Sequence, residues 1–165
     1  MRKTRKPAAR PRSRSSAIPA VGSGKRGVEG HVAYLLRQAA AAQRMRAERA
    51  LADLAVTPPQ FAVLTMLNAY PGISNADTAR LSLLTPQTVS VIIGNLEKAG
   101  WIHRRPHAVH GRIQHIDLTD LGRKTLARCR GRIKAVEERM VAGLTAAEEK
   151  TVRRWLVVLA EEDRG

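Results

Sequence analysis

Apolar residues recur at helical spacing over most of this chain, with one short stretch where the period drops to two. From about Glu29 to Leu54, Val32, Leu35, Leu36, Ala39, Ala47, Ala50, Leu51 and Leu54 fall on one side of an alanine-rich helix. Thr57-Pro58-Pro59-Gln60 then supplies a capping hydroxyl, prolines in the first turn and an amide three residues after the cap, which together mark a helix start. Phe61, Val63, Leu64 and Leu67 predict a buried helix that ends at Tyr70-Pro71-Gly72. Ser74-Asn75-Ala76-Asp77 opens a short helix running to about Leu81. Thr85-Pro86 opens the next, and Gly100 is placed to close it in the left-handed conformation. The middle of the chain therefore reads helix, turn, short helix, turn, helix.

The period changes after Gly100. Ile102-His103-Arg104 and Arg112–Leu118 are compatible with strands, and the stretch between them contains Pro106 and Gly111, which predicts a small hairpin. Helical spacing returns after Thr119, where Leu126, Cys129, Ile133, Val136 and Met140 advance by threes and fours, a heptad-like seam. Thr145-Ala146-Ala147-Glu148 caps a last helix with Val152, Trp155, Leu156 and Leu159 on one side. The fold class is mainly α with a small β-hairpin: a winged helix-turn-helix at 57–119, flanked by helices over 29–54 and 120–162. Burying one large aliphatic side chain stabilises by roughly 1.5–3 kcal/mol. Several exposed stripes would exceed the margin of about 5–15 kcal/mol that a domain has. The flanking helices are therefore expected to form a homodimer; the alternative is a monomeric cluster of the three terminal helices.

Charge narrows the class of partner. The chain holds 29 Lys and Arg against 14 Asp and Glu, a net charge of +15, and residues 1–27 contain nine of those bases and no acid. That segment has too little apolar surface to offset its ordering entropy, so 1–27 is expected to be a disordered basic tail ahead of a domain at 28–165. An excess of this size attracts a polyanion, either nucleic acid or an anionic membrane. No apolar run is long enough to span a bilayer, and the N-terminus lacks a secretory core. A single cysteine excludes an internal disulfide framework and a cysteine-based zinc site. No HExxH, GxSxG or paired-carboxylate constellation is present, so an enzyme is not expected, nor a cofactor. The expected setting is cytoplasmic and nucleoid-associated, without a membrane partner.

The helix over 86–99 carries the candidate chemistry. Val89, Ile92, Ile93 and Leu96 form its inward stripe, leaving Gln87, Thr88, Ser90, Val91, Gly94 and Asn95 outward or marginal. Gln can pair bidentately with adenine, Thr and Ser can bond base or phosphate, and Val can touch a thymine methyl. The competing reading is an ordinary solvated face. Arg104 and Arg105 in the hairpin are candidate phosphate contacts, or simply solubilising charges. Two such helices related by a two-fold axis would read a palindromic operator in double-stranded DNA, with half-sites ~34–36 Å apart.

The order of elements resembles the MarR family of bacterial transcriptional regulators. The phrases that carry the resemblance are Leu54-Ala-Val-Thr-Pro-Pro-Gln-Phe-Ala-Val-Leu64, Thr85-Pro-Gln-Thr-Val-Ser90, Leu96-Glu-Lys-Ala-Gly-Trp-Ile102, Gly111-Arg112 and Leu118-Thr-Asp-Leu-Gly122, spread over roughly residues 29–162. The resemblance implies an obligate dimer and, in many relatives, a small-molecule effector held where the dimer helices meet the DNA module. It gives Arg112 the role of the wing arginine that enters a minor groove, where the potential is most negative. It also shows departures. Val91 and Gly94 stand where relatives commonly carry a basic or larger polar residue, and His107-Ala-Val-His110 replaces the stretch where they usually carry an aspartate. Some relatives sense oxidants through a cysteine in the first helix, which is absent here, so Cys129 is read as a buried structural thiol. His31, Tyr34, Gln38 and Trp101 are the candidate effector-lining residues, with interface packing as the alternative.

Two clusters remain. His103, His107, His110 and His115 crowd the hairpin, but with no cysteine and only Asp117 beside them they are not expected to bind metal. Cationic histidines near phosphate would instead make DNA affinity sensitive to pH. Arg123, Lys124, Arg128, Arg130, Arg132 and Lys134 make one helix strongly basic, facing DNA flanks, an anionic ligand or solvent. The reading is a sequence-specific transcriptional regulator, a repressor released by a small-molecule effector. The alternatives are a charge-driven nonspecific nucleic-acid-binding protein, and a ligand or metal sensor with weak DNA binding.

Overall fold

The computed structural model describes residues 18–106 and 114–161. By backbone contacts the chain divides into two units, Met1–Ala40 and Ala41–Gly165.

In the first unit, the stretch expected to be a disordered basic tail, 1–27, is described from residue 18 on; residues 1–17 lie outside the described residues. Gly24–Arg26 form one 3-10 turn, with Gly22 N–H donating to Arg26 O at 3.0 Å and Gly27 N–H to Gly24 O at 2.9 Å. The Arg26 guanidinium donates to Pro19 O at 2.8 Å and to Gln38 Oε1 at 3.0 Å. Such backbone and guanidinium bonds are independent of apolar burial. Helix α1, Val32–Leu51, starts three residues later than the apolar pattern suggested and crosses from the first unit into the second. A 3-10 turn over Ala52–Leu54 follows, closed by Ala55 at φ +52°.

The second unit continues with α2 (Pro58–Ala69), α3 (Asn75–Ser82), α4 (Pro86–Lys98), β1 (Ile102–Pro106), β2 (Gln114–Leu118), α5 (Asp120–Val141) and α6 (Ala146–Glu161). Each predicted cap is in place. Thr57 and Gln60 bond reciprocally, Ser74 Oγ accepts from Asp77 N–H, and Thr85 and Thr119 cap α4 and α5. Gly100, at φ +70°, ends α4 in a Schellman motif: its N–H reaches Glu97 O at 2.9 Å, and Trp101 N–H reaches Leu96 O at 2.9 Å. A second left-handed turn, after that at Ala55, also has no glycine. Leu83 closes α3 at φ +54° and is 91% exposed, a conformation that costs a leucine roughly 1–2 kcal/mol.

The strands pair antiparallel, with Ile102 opposite Leu118, Arg104 opposite Ile116 and Arg105 opposite His115. Ile102, Ile116 and Leu118 sink into a cluster with Val63, Leu64, Leu67, Ala79, Val89, Ile92, Ile93, Leu96 and Leu126. This cluster seats the hairpin against α2, α3 and α4 and so fixes where the wing begins. A second cluster joins Ala47, Leu51 and Val56 to Cys129 and Ile133 of α5, and Phe61 and Trp101 pack against both. The heptad-like seam of α5 therefore divides: Leu126, Cys129 and Ile133 are buried within the chain, whereas Met140 is exposed. No residue of α6 is buried, and Trp155 is 42% exposed.

Candidate nucleic-acid interface

Helix α4 presents the two faces its sequence predicts. Val89, Ile92, Ile93 and Leu96 are buried, while Gln87, Thr88, Ser90, Val91 and Asn95 are exposed and Gly94 is half-buried. The apolar stripe anchors the helix in the core, so the opposite side faces solvent by geometry. Thr88 is drawn to the cap, its Oγ1 lying 2.9 Å from Thr85 Oγ1. Ser90 donates to Pro86 O at 2.9 Å and accepts from Asn75 Nδ2 at 2.9 Å. Asn75, the first residue of α3, was not singled out from the sequence; fifteen residues and a turn separate it from Ser90, and no periodicity links them. Val91 is 64% exposed, an apolar contact surface in the middle of a polar face.

The hairpin arginines are exposed but paired. Arg104 Nε lies 3.0 Å from Glu97 Oε2, which ties β1 to the last turn of α4. Arg105 grips Asp117 on β2, with Nε donating to Oδ2 at 2.7 Å and an Nη at 2.5 Å. Each guanidinium is thus held beside a carboxylate that offsets its attraction to phosphate. With Arg104 as a phosphate contact, as its sequence position leads one to expect, Glu97→Gln would raise affinity for any duplex several-fold and steepen the salt dependence by removing the competing carboxylate. Affinities of the two proteins measured across a salt series check this, and an unchanged salt slope would place Arg104 away from the DNA backbone. Arg112, His107 and His110 lie outside the described residues.

His115 anchors the hairpin from its other face. Its Nδ1 lies 2.6 Å from Gly72 O in the α2–α3 turn. Gly72 sits at φ +76°, and a Cβ there would approach His115 Nδ1 to 2.7 Å, so the turn admits no side chain while the ring holds this place. Among the described residues, no three His, Cys, Asp or Glu side chains converge as a metal site would require. Burial pushes the Cys129 thiol up from its ordinary pKa, and a thiol kept protonated and out of solvent is a poor nucleophile.

The remaining candidates are placed as follows. Arg123 bonds Leu118 O at 2.8 Å and Asp120 at 2.7 Å, Arg132 bonds Asp53 at 2.5 Å, and Lys124, Arg128 and Arg130 are exposed. In the first unit, His31 and Tyr34 are exposed, and Gln38 is half-buried with its carbonyl oxygen occupied by Arg26. In the second, Trp101 is half-buried against both apolar clusters, and its carbonyl accepts from Thr119 N–H at 3.0 Å.

Three comparisons bear on this geometry. A profile of the MarR family matches residues 56–113. The HTH-type transcriptional repressor Rv2887 of Mycobacterium tuberculosis is 34% identical over 129 residues, a match that spans 78% of this chain and 93% of that protein. A crystal structure of Rv2887 in complex with DNA superposes with a TM-score of 0.65 at 33% identity, covering 79% of this chain and 98% of that one. A complex of Rv2887 with p-aminosalicylic acid gives 0.66 at 32% identity, with coverage of 79% and 99%. The transcriptional repressor CouR bound to a 23-mer DNA duplex gives 0.73 at 26% identity, with coverage of 79% and 92%.

Proposed function

The chain belongs to the MarR family, and from this premise we propose that it is a sequence-specific, effector-responsive transcriptional repressor acting as a homodimer at the nucleoid in the cytoplasm. The observation that carries the reading is α4: a helix seated on four buried apolar residues, with Gln87, Thr88, Ser90, Val91 and Asn95 exposed together on its other side. In each protomer this face enters a major groove, Arg104 and Arg105 reach the adjoining backbone, and Arg112 reaches the minor groove. The exposed Val32 of α1, Met140 of α5, and Val152, Trp155 and Leu156 of α6 are apolar surface that a second copy would cover. No single described helix is long and apolar enough to cross a membrane.

The effector is a planar aromatic carboxylic acid, by analogy with the salicylic and p-aminosalicylic acid complexes of Rv2887. Of the second unit, the half-buried Trp101 is the residue proposed to contact it; His31, Tyr34 and Gln38 of the first unit are candidates on their sequence positions alone. It releases DNA because it favours a spacing of the two α4 helices that does not match the operator; only such differential affinity can shift the population. Selection of bound fragments from a random DNA pool at fixed salt, with and without salicylic acid, tests the reading. A two-fold symmetric consensus that is lost with the acid supports it, and a featureless pool overturns it.

The tail supplies sequence-independent attraction. Residues 1–27 carry nine cations per chain, and each phosphate they neutralise adds about 0.9 to the logarithmic salt slope. Removing them is expected to flatten that slope and leave base preference intact. Titrations of the selected operator and a scrambled duplex at several salt concentrations check this, and loss of preference in the truncated protein would assign the tail a reading role.

A further inference from the structure

We propose that Ser90 reads its base pair as a hydrogen-bond acceptor only, its proton being taken by Pro86 O, and that Asn75 of α3 is the positioning residue that fixes which lone pair remains. The inference rests on the reading above, in which α4 faces the operator. A serine hydroxyl has one proton and two lone pairs. The Ser90 proton is committed to Pro86 O at 2.9 Å, and one lone pair is occupied by Asn75 Nδ2 at 2.9 Å. One lone pair remains on an exposed side chain.

Both orientations of the Asn75 amide keep the Ser90 proton from solvent. Asn75 Oδ1 is buried and, among the described residues, has no hydrogen-bond partner. With the amide turned over, that oxygen would take the Ser90 proton and the NH2 group would occupy the buried position instead. In either orientation the proton stays inside the protein. Donating outward would require breaking a bond already made, and in the turned-over orientation would leave a buried amide oxygen without its donor.

An acceptor-only hydroxyl selects its partner. In the major groove the donors are the amino groups of adenine N6 and cytosine N4, whereas guanine O6 and N7, adenine N7 and thymine O4 are acceptors. Phosphate oxygens are acceptors as well. Ser90 is therefore matched to the exocyclic amino group of adenine or cytosine and mismatched to guanine, thymine and the backbone. The residue type alone allowed base or phosphate, and donor or acceptor; the bond to Pro86 O takes the proton, and the bond from Asn75 on the neighbouring helix takes one of the two lone pairs.

The test uses the full chain and the operator recovered from the random pool. At each half-site position adenine is replaced by purine, which lacks the 6-amino group, or cytosine by 2-pyrimidinone, which lacks the 4-amino group. Each phosphate is separately replaced by a methylphosphonate. Affinities are measured for the wild type and for Ser90→Ala. One position per half-site is expected at which losing the amino group weakens the wild type about tenfold and leaves the variant unchanged. Asn75→Ala is expected to shrink that effect to less than threefold at the same position while other positions keep theirs. Coupling of Ser90 to a methylphosphonate or to no position overturns the acceptor assignment, even where the consensus stands. A uniform loss across positions in Asn75→Ala overturns its positioning role. A featureless pool overturns this inference and the proposed function together.

Discussion

Gly122→Ala is expected to destabilise the protein by about 3 kcal/mol, lowering the unfolding temperature by roughly 6–12 °C for a chain of this size. Alanine in place of glycine within a helix ordinarily stabilises by about 1 kcal/mol, so propensity alone predicts the opposite sign. The contact decides. Gly122 lies in the first turn of α5, where its N–H bonds the capping Thr119 Oγ1 at 3.0 Å, and a Cβ there would overlap the carbonyl group of Trp101. That carbonyl is backbone, held by Thr119 N–H at 3.0 Å, and Trp101 itself is fixed by its bond to Leu96 O. Neither side can yield by a rotamer change, so the first turn of α5 must shift away from the hairpin or the fold must loosen. Gly131 is the internal control: a Cβ at that site meets nothing within 4 Å, and Gly131→Ala is expected to leave the protein as stable or slightly more so. Thermal unfolding at matched protein concentration separates the two variants. Equal stability in both would mean that the α5 start is not pressed against Trp101.

Val91→Glu is expected to lower affinity for the selected operator about a hundredfold or more, with little change in unfolding temperature. The side chain is on the exposed face of α4 and contributes nothing to its buried stripe of Val89, Ile92, Ile93 and Leu96. In the proposed complex it lies in a groove walled by phosphates, where a carboxylate meets repulsion and loses its water without gaining a donor. Each half-site is affected, and about 1.5 kcal/mol at each of two gives the hundredfold. Binding of operator and scrambled duplex by one titration checks both magnitude and origin. A variant that keeps wild-type affinity would remove α4 from the groove, and the proposed function with it.

Much of this fold is local and so legible. Thr57, Ser74, Thr85, Thr119 and Thr145 all cap the helices their sequence positions announce. A cap needs only a hydroxyl and an N–H three residues on, both within one turn. The inward stripe of α4 was legible for the same reason, since helical period places Val89, Ile92, Ile93 and Leu96 together without reference to anything else. What failed was non-local or lay outside the pattern language. The glycine-rich turn at 24–26 depends on a guanidinium reaching Pro19 and Gln38. Leu83 and Ala55 occupy left-handed turns that residue preference assigns to glycine.

By itself the sequence determined which segments are helical, where the capped ones start, which face of α4 is apolar, and the charge that draws a polyanion. Each of these follows from residues within a few positions of one another or from a plain sum over the chain. Only the tertiary structure decided what the functional side chains are free to do. Arg104 and Arg105 read as spare cations until Glu97 and Asp117 are brought beside them. Ser90 keeps both lone pairs open until Asn75 arrives from α3 and occupies one. A side chain's remaining capacity for hydrogen bonds and charge depends on its neighbours in space, and those are set by how α3, α4 and the hairpin close over one core.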